Sequence, residues 1–439
     1  MKKSVFPVLV IMLMISHVTW AQLSKTEKKI SGYVDAHYAE SLKLLEQAVN
    51  INSGTMNLDG VRQVGELFKV KLDALGFVTT LTDGKPFNRA GHLVAKHLNG
   101  KGKTILLIGH LDTVFEPSSP FQQFKMINDS TASGPGISDM KGGDVIMITA
   151  LQALNDAGLL KDMNIIIVMT GDEEHSGRPL ALSKQDLVEA AKLADIALGF
   201  EDGDGKTTTA VVSRRGSSGW TLKVKGVPAH SSQIFTEQIG AGAIYETSRI
   251  LYEFYKELSP EIDLTFNPGM IVGGTAITHD SENASGTAFG KSNVVSQDVS
   301  VTGDIRAISP EQLKKTQETM QAIVMRNLPR TSAEINFGDG GYPPLAPSEG
   351  NFALLKIFDQ ASRDLGFGSV SPVKPRDAGA ADISFTAGYV DMAMDGIGMG
   401  GADGHTVNET ASLKSLTMEA KRTAILLYRL TKEELQKKR

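Results

Sequence analysis

His110-Leu-Asp112, Asp139, Asp172-Glu173-Glu174-His175, Glu201-Asp202 and His405 are the side chains in this sequence with the chemistry to hold a divalent cation and activate water. Three of these stretches follow apolar runs: 104–109 leads into His110, 164–170 into Asp172, and 195–200 into Glu201. Runs of this kind read as buried strands of a largely parallel sheet. In open α/β sheets, ligands bind outside the carboxyl ends of the strands. Three strands thus deliver carboxylates and imidazoles to one edge, where like charges repel unless a cation neutralises them. Each stretch alone has an ordinary alternative. His-x-Asp after a strand arises by chance, Asp-Glu-Glu can open a helix against its dipole, and Glu-Asp-Gly can be a turn. Taken together they point to a metal site.

Two glycine-rich loops add to the set. Asp139 lies in Gly134-Pro-Gly-Ile-Ser-Asp-Met-Lys-Gly-Gly143 and His405 in Gly400-Gly-Ala-Asp-Gly-His-Thr-Val-Asn-Glu409. Glycines there let the backbone approach a buried site closely, although Asp139 could equally cap a helix and His405 sit on the surface. The chain has no cysteine, which excludes disulfides, thiolate zinc sites and a cysteine nucleophile, and leaves His, Asp and Glu as ligands.

The elements that must position these residues alternate. Helices are expected at 24–49, 61–75, 143–157 and 180–193, and strands at 91–97, 104–109, 164–170 and 195–200, the signature of βαβ units. After Thr209 the pattern changes: 217–224 and 293–306 alternate apolar and polar positions, as strands with one wet face do. Helices at 239–258 and 309–326 separate and follow them. The expectation is a mostly parallel-sheet α/β catalytic domain with helices on both faces, at 22–213 and 331–439. A smaller α+β lid or dimerisation domain is inserted at 214–330. A last helix spans 414–435.

At the N-terminus, Lys2 and Lys3 precede an apolar run, and Thr19-Trp-Ala21 offers small residues at −3 and −1. This reads as a signal peptide at 1–21, its apolar run being too short for a bilayer-spanning helix, and predicts a periplasmic or secreted protein; a short N-terminal membrane anchor is the alternative. The net charge of −5 becomes −7 once Lys2 and Lys3 leave, and no basic patch offsets it. Nucleic-acid binding is therefore not expected.

The ordered set Gly109-His-Leu-Asp-Thr-Val-Phe115, Gly134 to Gly143, Thr170-Gly-Asp-Glu-Glu-His-Ser-Gly177 and Gly404-His405 with Asn408-Glu409 resembles one metallopeptidase family. That family contains glutamate carboxypeptidase, acetylornithine deacetylase, succinyl-diaminopimelate desuccinylase and aminoacylase. The resemblance covers nearly all of the mature chain, and the His-Leu-Asp-Thr-Val-Phe form is most similar to the glutamate carboxypeptidase branch. It implies two Zn2+ ions per chain, with Co2+ or Mn2+ as chemically tolerable substitutes. One ion takes His110, Asp139 and Glu201; the other takes Asp139, Glu174 and His405, with Asp139 bridging. The family usually has Pro after the Glu201 position. Asp202 stands there instead and remains an alternative ligand, although Glu201 keeps the strand phase.

The same resemblance implies that Asp112 orients His110 and that Glu173 is the general base toward a metal-bound water, later protonating the leaving amine. His230 resembles a position that reaches into a partner subunit's site and helps hold the oxyanion, so a homodimer is implied. Asn293 and Arg306 resemble positions that bind a substrate's free carboxylate. As plain alternatives, Arg306 is a strand-surface cation and His230 a turn residue. The expected activity is hydrolysis of a peptide or amide bond next to a C-terminal amino acid in a small peptide or N-acyl amino acid. N-acyl-amino-acid deacylation and dipeptide cleavage are the alternatives. A non-catalytic peptide-binding protein should have lost a ligand or the base, and none is missing. A serine hydrolase would need Gly-x-Ser-x-Gly, which does not occur; Gly216-Ser217-Ser218-Gly219 is one residue short.

Overall fold

Strands that are apolar on both faces must be covered on both faces, and this requirement organises the chain. The computed structural model describes residues 23–280, 285–338 and 341–437, so the expected signal peptide lies outside the described residues. Its main sheet has six strands in the order Val78–Leu81, Leu93–Leu98, Asn164–Thr170, Thr104–His110, Ile196–Gly199 and Met392–Met394. Ile105, Leu107, Ile165, Ile167 and Met169 point into one core with the helices Lys25–Ala36, Tyr38–Val49, Leu58–Ala74, Lys141–Asp156 and Leu413–Lys437. Leu106, Ile108, Ile166 and Val168 point the other way, onto Leu187, Ala190 and Ala191 of the helix Gln185–Leu193. The α/β class with helices on both faces is thus the observed architecture.

The last four strands of that order are mutually parallel, and Leu93–Leu98 runs antiparallel to both of its neighbours. Asn164–Thr170, Thr104–His110 and Ile196–Gly199 are adjacent, with His110 paired to Thr170. Their carboxyl ends therefore open at one place on the sheet edge. This adjacency turns three separate motifs into one site.

A second, antiparallel sheet has the order Thr265–Gly274, Asp298–Ala307, Gly216–Lys225 and Ser332–Phe337. The helices Gly242–Leu258 and Pro310–Val324 cover one face, where Trp220, Leu222, Val301 and Ile305 meet Ile250, Phe254, Met320 and Ile323. Ser309 caps the second helix by accepting the Gln312 N–H, with Pro310 at its first turn.

Several expectations shift. The helix expected at 24–49 is two helices, interrupted at His37, whose ring Nδ1 bonds the Tyr33 carbonyl. That expected at 180–193 divides at Lys184. The strand expected from 293 begins at Asp298, and the strand Thr265–Gly274 and the hairpin of Ala276–Asp280 with Ser285–Phe289 were not anticipated. Ser332–Phe337 pairs with Gly216–Lys225, so the small sheet continues past residue 330. The chain crosses back through the bridges Ser217 to Tyr342 and Arg214 to Leu345.

Candidate metal centre

His110 ends its strand almost fully buried, 1% exposed. Its Nε2 lies 3.1 Å from Asp139 Oδ1 and 3.6 Å from Glu201 Oε1. On the other side of Asp139, His405 Nε2 lies 2.8 Å from Oδ2 and 3.2 Å from Glu174 Oε2. The two oxygens of Asp139 therefore face two different triads, His110–Asp139–Glu201 and Asp139–Glu174–His405. Within each triad, all donor atoms lie within 4.8 Å of one another. Glu201, and not Asp202, completes the first triad.

The surrounding residues fix these donors. Asp112 is fully buried; its carboxylate accepts from Thr55 Oγ1 at 2.6 Å and from the backbone N–H groups of Glu173 and Glu174 at 3.1 and 3.2 Å. His110 Nδ1 faces only acceptors, the Asp112 carbonyl at 3.1 Å and its carboxylate at 3.5 Å. Asp112 therefore holds a proton on Nδ1, which leaves Nε2, the nitrogen facing Asp139 and Glu201, as the one able to ligate a cation once it gives up its own proton. Glu409 clamps the Asp139 loop, accepting from the N–H groups of Gly136, Ser138 and Asp139 and from Ser138 Oγ. Asp395, paired with buried Arg214 at 2.8 Å, accepts the Glu201 N–H.

A further support was not foreseen from sequence. Lys184, 1% exposed, reaches Asp172 at 3.1 Å and Asp382 at 3.0 Å, and its ammonium lies over the Tyr342 ring. The Tyr342 hydroxyl donates to the Glu173 carbonyl at 3.0 Å. Burial works against the charged ammonium, yet Asp382 and Asp172 overcome it and hold its pKa above the ordinary lysine value.

The donor set fits divalent metal. Glu174 Oε1 is buried without a hydrogen-bond partner, which is costly unless something occupies that direction. Hydrogen bonds to Asp139 and Glu174 push the His405 imidazole up to about 11. Burial opposes ionisation of Asp139, but hydrogen bonds from His110 and His405 keep it charged below the usual range. Burial, and then Asp382, push Glu173 well above the usual carboxylate range. Such a gathering of buried carboxylates calls for positive charge.

His230, Asn293 and Arg306 all lie in the inserted unit. His230 Nδ1 lies 2.8 Å from Ser232 Oγ, its backbone bridges Val294, and the Ser231 N–H donates to the Asn293 carbonyl. Arg306, on the strand Asp298–Ala307, donates through Nε to Asp304 at 2.8 Å. The structure brings His230 next to Asn293 in the chain fold. Among the described residues, no hydrogen bond or ion pair links either of them, or Arg306, to the metal-centre side chains.

The chain can now be set beside known proteins. It is 24% identical over 375 residues to carboxypeptidase G2 of Pseudomonas sp. (strain RS-16), covering 83% of each chain. The fold matches aminopeptidase PepT from Bacillus cereus with a TM-score of 0.68 at 18% identity, covering 90% of this chain and 98% of that one. It also matches an M20 family metallo-carboxypeptidase, Sso-CP2, from Sulfolobus solfataricus, with a TM-score of 0.61 at 18% identity over 89% and 99% of the two chains. Residues 106–429 match the model of peptidase family M20/M25/M40. This span begins inside the strand that delivers His110 and ends beyond His405. The chain belongs to peptidase family M20/M25/M40, and it is a metal-dependent peptidase or amidohydrolase.

Proposed function

We propose that the protein is a di-zinc exopeptidase that hydrolyses the bond next to a C-terminal amino acid in a small peptide or N-acyl amino acid. The observation that carries this reading is the sharing of Asp139 between two complete triads, one oxygen facing each. His110, Asp139 and Glu201 would hold one ion, and Asp139, Glu174 and His405 the other. Two ions there supply Lewis acidity toward an amide carbonyl and acidify water toward neutrality. Glu173 lies beside ligand Glu174, fixed through its N–H by Asp112 and its carbonyl by Tyr342. As general base, its carboxylate would take a proton from water and return it to the leaving amine. Asn293 and Arg306 bind the substrate carboxylate, and His230 contributes to oxyanion binding across a homodimer. Export to the periplasm or medium rests on the N-terminal sequence.

Within the same chemistry, deacylation of N-acyl amino acids and dipeptide cleavage are the competing substrate classes. The experiment is metal content by mass spectrometry, together with release of amino acids from N-acyl-glutamate, other N-acyl amino acids and dipeptides. Close to two zincs per chain and chelator-sensitive release support the proposal, and the substrate panel ranks the classes. Absence of bound metal with no turnover after adding zinc, cobalt or manganese would overturn it.

A further inference from the structure

The core of the inserted unit is not closed at one end. Beside the helix Gly242–Leu258 and the edge strand Thr265–Gly274 a cavity of about 340 Å³ opens, walled by Trp220, Leu251, Phe254, Leu264 and Phe266. That is the size of a small-molecule site, and none of its lining residues belongs to the metal centre. Its charged lining residue is Arg376, from the turn Pro375–Asp377 of the main unit.

Guanidinium groups gather beside this mouth. Arg215 donates through Nη1 to Thr265 Oγ1 at 2.8 Å and through Nη2 to the Arg376 carbonyl at 3.2 Å, while its Nε is buried without a partner. Thr265 is the cross-strand partner of Arg306, so a third guanidinium borders the same spot. Against these three stand the carboxylates of Asp263 and Asp304, the latter already 2.8 Å from Arg306. Burial first, and then Arg376 and Arg306, lower the Arg215 pKa below the usual arginine value, while Asp263 and Asp304 act against the shift.

We propose that this cavity binds a small amphipathic monocarboxylate, an aromatic or medium-chain acid whose apolar body lies against the wall of Trp220, Leu251 and Phe266 and whose carboxylate meets Arg376, the guanidinium that lines it. An apolar wall ending in guanidinium donors suits such an acid, because the body is desolvated while the carboxylate gains charge-assisted hydrogen bonds. A bound acid touches both units beside the strands that cross between them.

Trp220 is its own reporter. The chain has two tryptophans, and Trp20 falls within the expected signal peptide at 1–21, so protein prepared without that segment carries Trp220 alone. Fluorescence titration of this protein after chelator treatment, which excludes carboxylate binding to metal, uses 4-phenylbutyrate and octanoate, with 4-phenylbutanamide as the uncharged control. We expect a saturable Trp220 change with the acids and at least about tenfold weaker binding of the amide. Arg376→Ala should bring the acid down to the level of the amide and leave the amide unchanged. No saturable change up to the solubility limit, equal binding of acid and amide, or indifference to Arg376→Ala would each overturn the site. A Trp220 change that follows protein concentration instead of ligand would assign the cavity to a second copy of the chain and overturn it as well.

Discussion

At the scale of single residues, the site separates side chains that hold charge from one that moves a proton. Glu173 shares in neither triad, yet its backbone is fixed at both ends, by Asp112 and by Tyr342. Glu173→Gln should therefore keep metal content unchanged while kcat falls by about 10²–10⁴-fold, the usual weight of a positioned general base. Mass spectrometry and turnover on the same preparation check it; a metal-depleted or fully active variant would remove Glu173 from that role. The neighbouring pair Glu201 and Asp202 gives a sharper contrast. Only Glu201 approaches His110, at 3.6 Å, whereas burial and the Asp139 charge push Asp202 up to about 7. Glu201→Gln should cost one metal per chain, and Asp202→Asn should cost none. The reverse pattern in metal titrations would exchange their assignments.

At the scale of elements, the loop carrying Asp172, Glu173 and Glu174 depends on a cation that comes from the break between two helices. Lys184→Met leaves Asp172 and Asp382 buried without their partner, a loss of about 3–5 kcal/mol for a broken buried pair. The pH dependence has a definite sign. In the wild type, Lys184 is raised, so its contribution is complete below the ordinary lysine pKa and is lost only as pH rises through the higher folded value. In the variant, Asp172 loses the Lys184 charge that holds it below the ordinary carboxylate range against its burial, so the stability deficit grows as pH rises from about 4 toward neutrality. Urea unfolding at pH 4.5 and pH 8 measures this; an equal deficit at both would show that the pair is not what Lys184 supports. The brace also marks the limit of what the sequence reveals. The strands ending at His110, Thr170 and Gly199 were legible because burial on both faces writes them as continuous apolar runs, and the ligands follow directly. Lys184 and Asp382 are almost 200 positions apart, with no local pattern to announce their pairing. The helix break at His37 and the fourth strand of the small sheet likewise depend on tertiary pairing, which local propensity does not encode.

At the scale of the whole molecule, one metal centre ties together segments from His110 to His405, all in the unit built on the six-stranded sheet. The inserted unit has its own core around Trp220, Phe254 and Val301 and supplies no member of either triad. Metal that binds only the folded state stabilises it by RT ln(1 + [L]/Kd), about 4 kcal/mol when free metal is a thousandfold above Kd. That stabilisation belongs to the unit holding the donors. Chelation should therefore lower the main calorimetric transition while leaving the transition reported by Trp220 fluorescence, in protein prepared without residues 1–21, nearly in place. Re-addition of zinc should restore the first without moving the second. If both transitions instead fall together by the same amount, the two units unfold as one cooperative body, and the strands crossing at Arg214–Leu345 and Ser217–Tyr342 transmit metal stabilisation to the inserted unit.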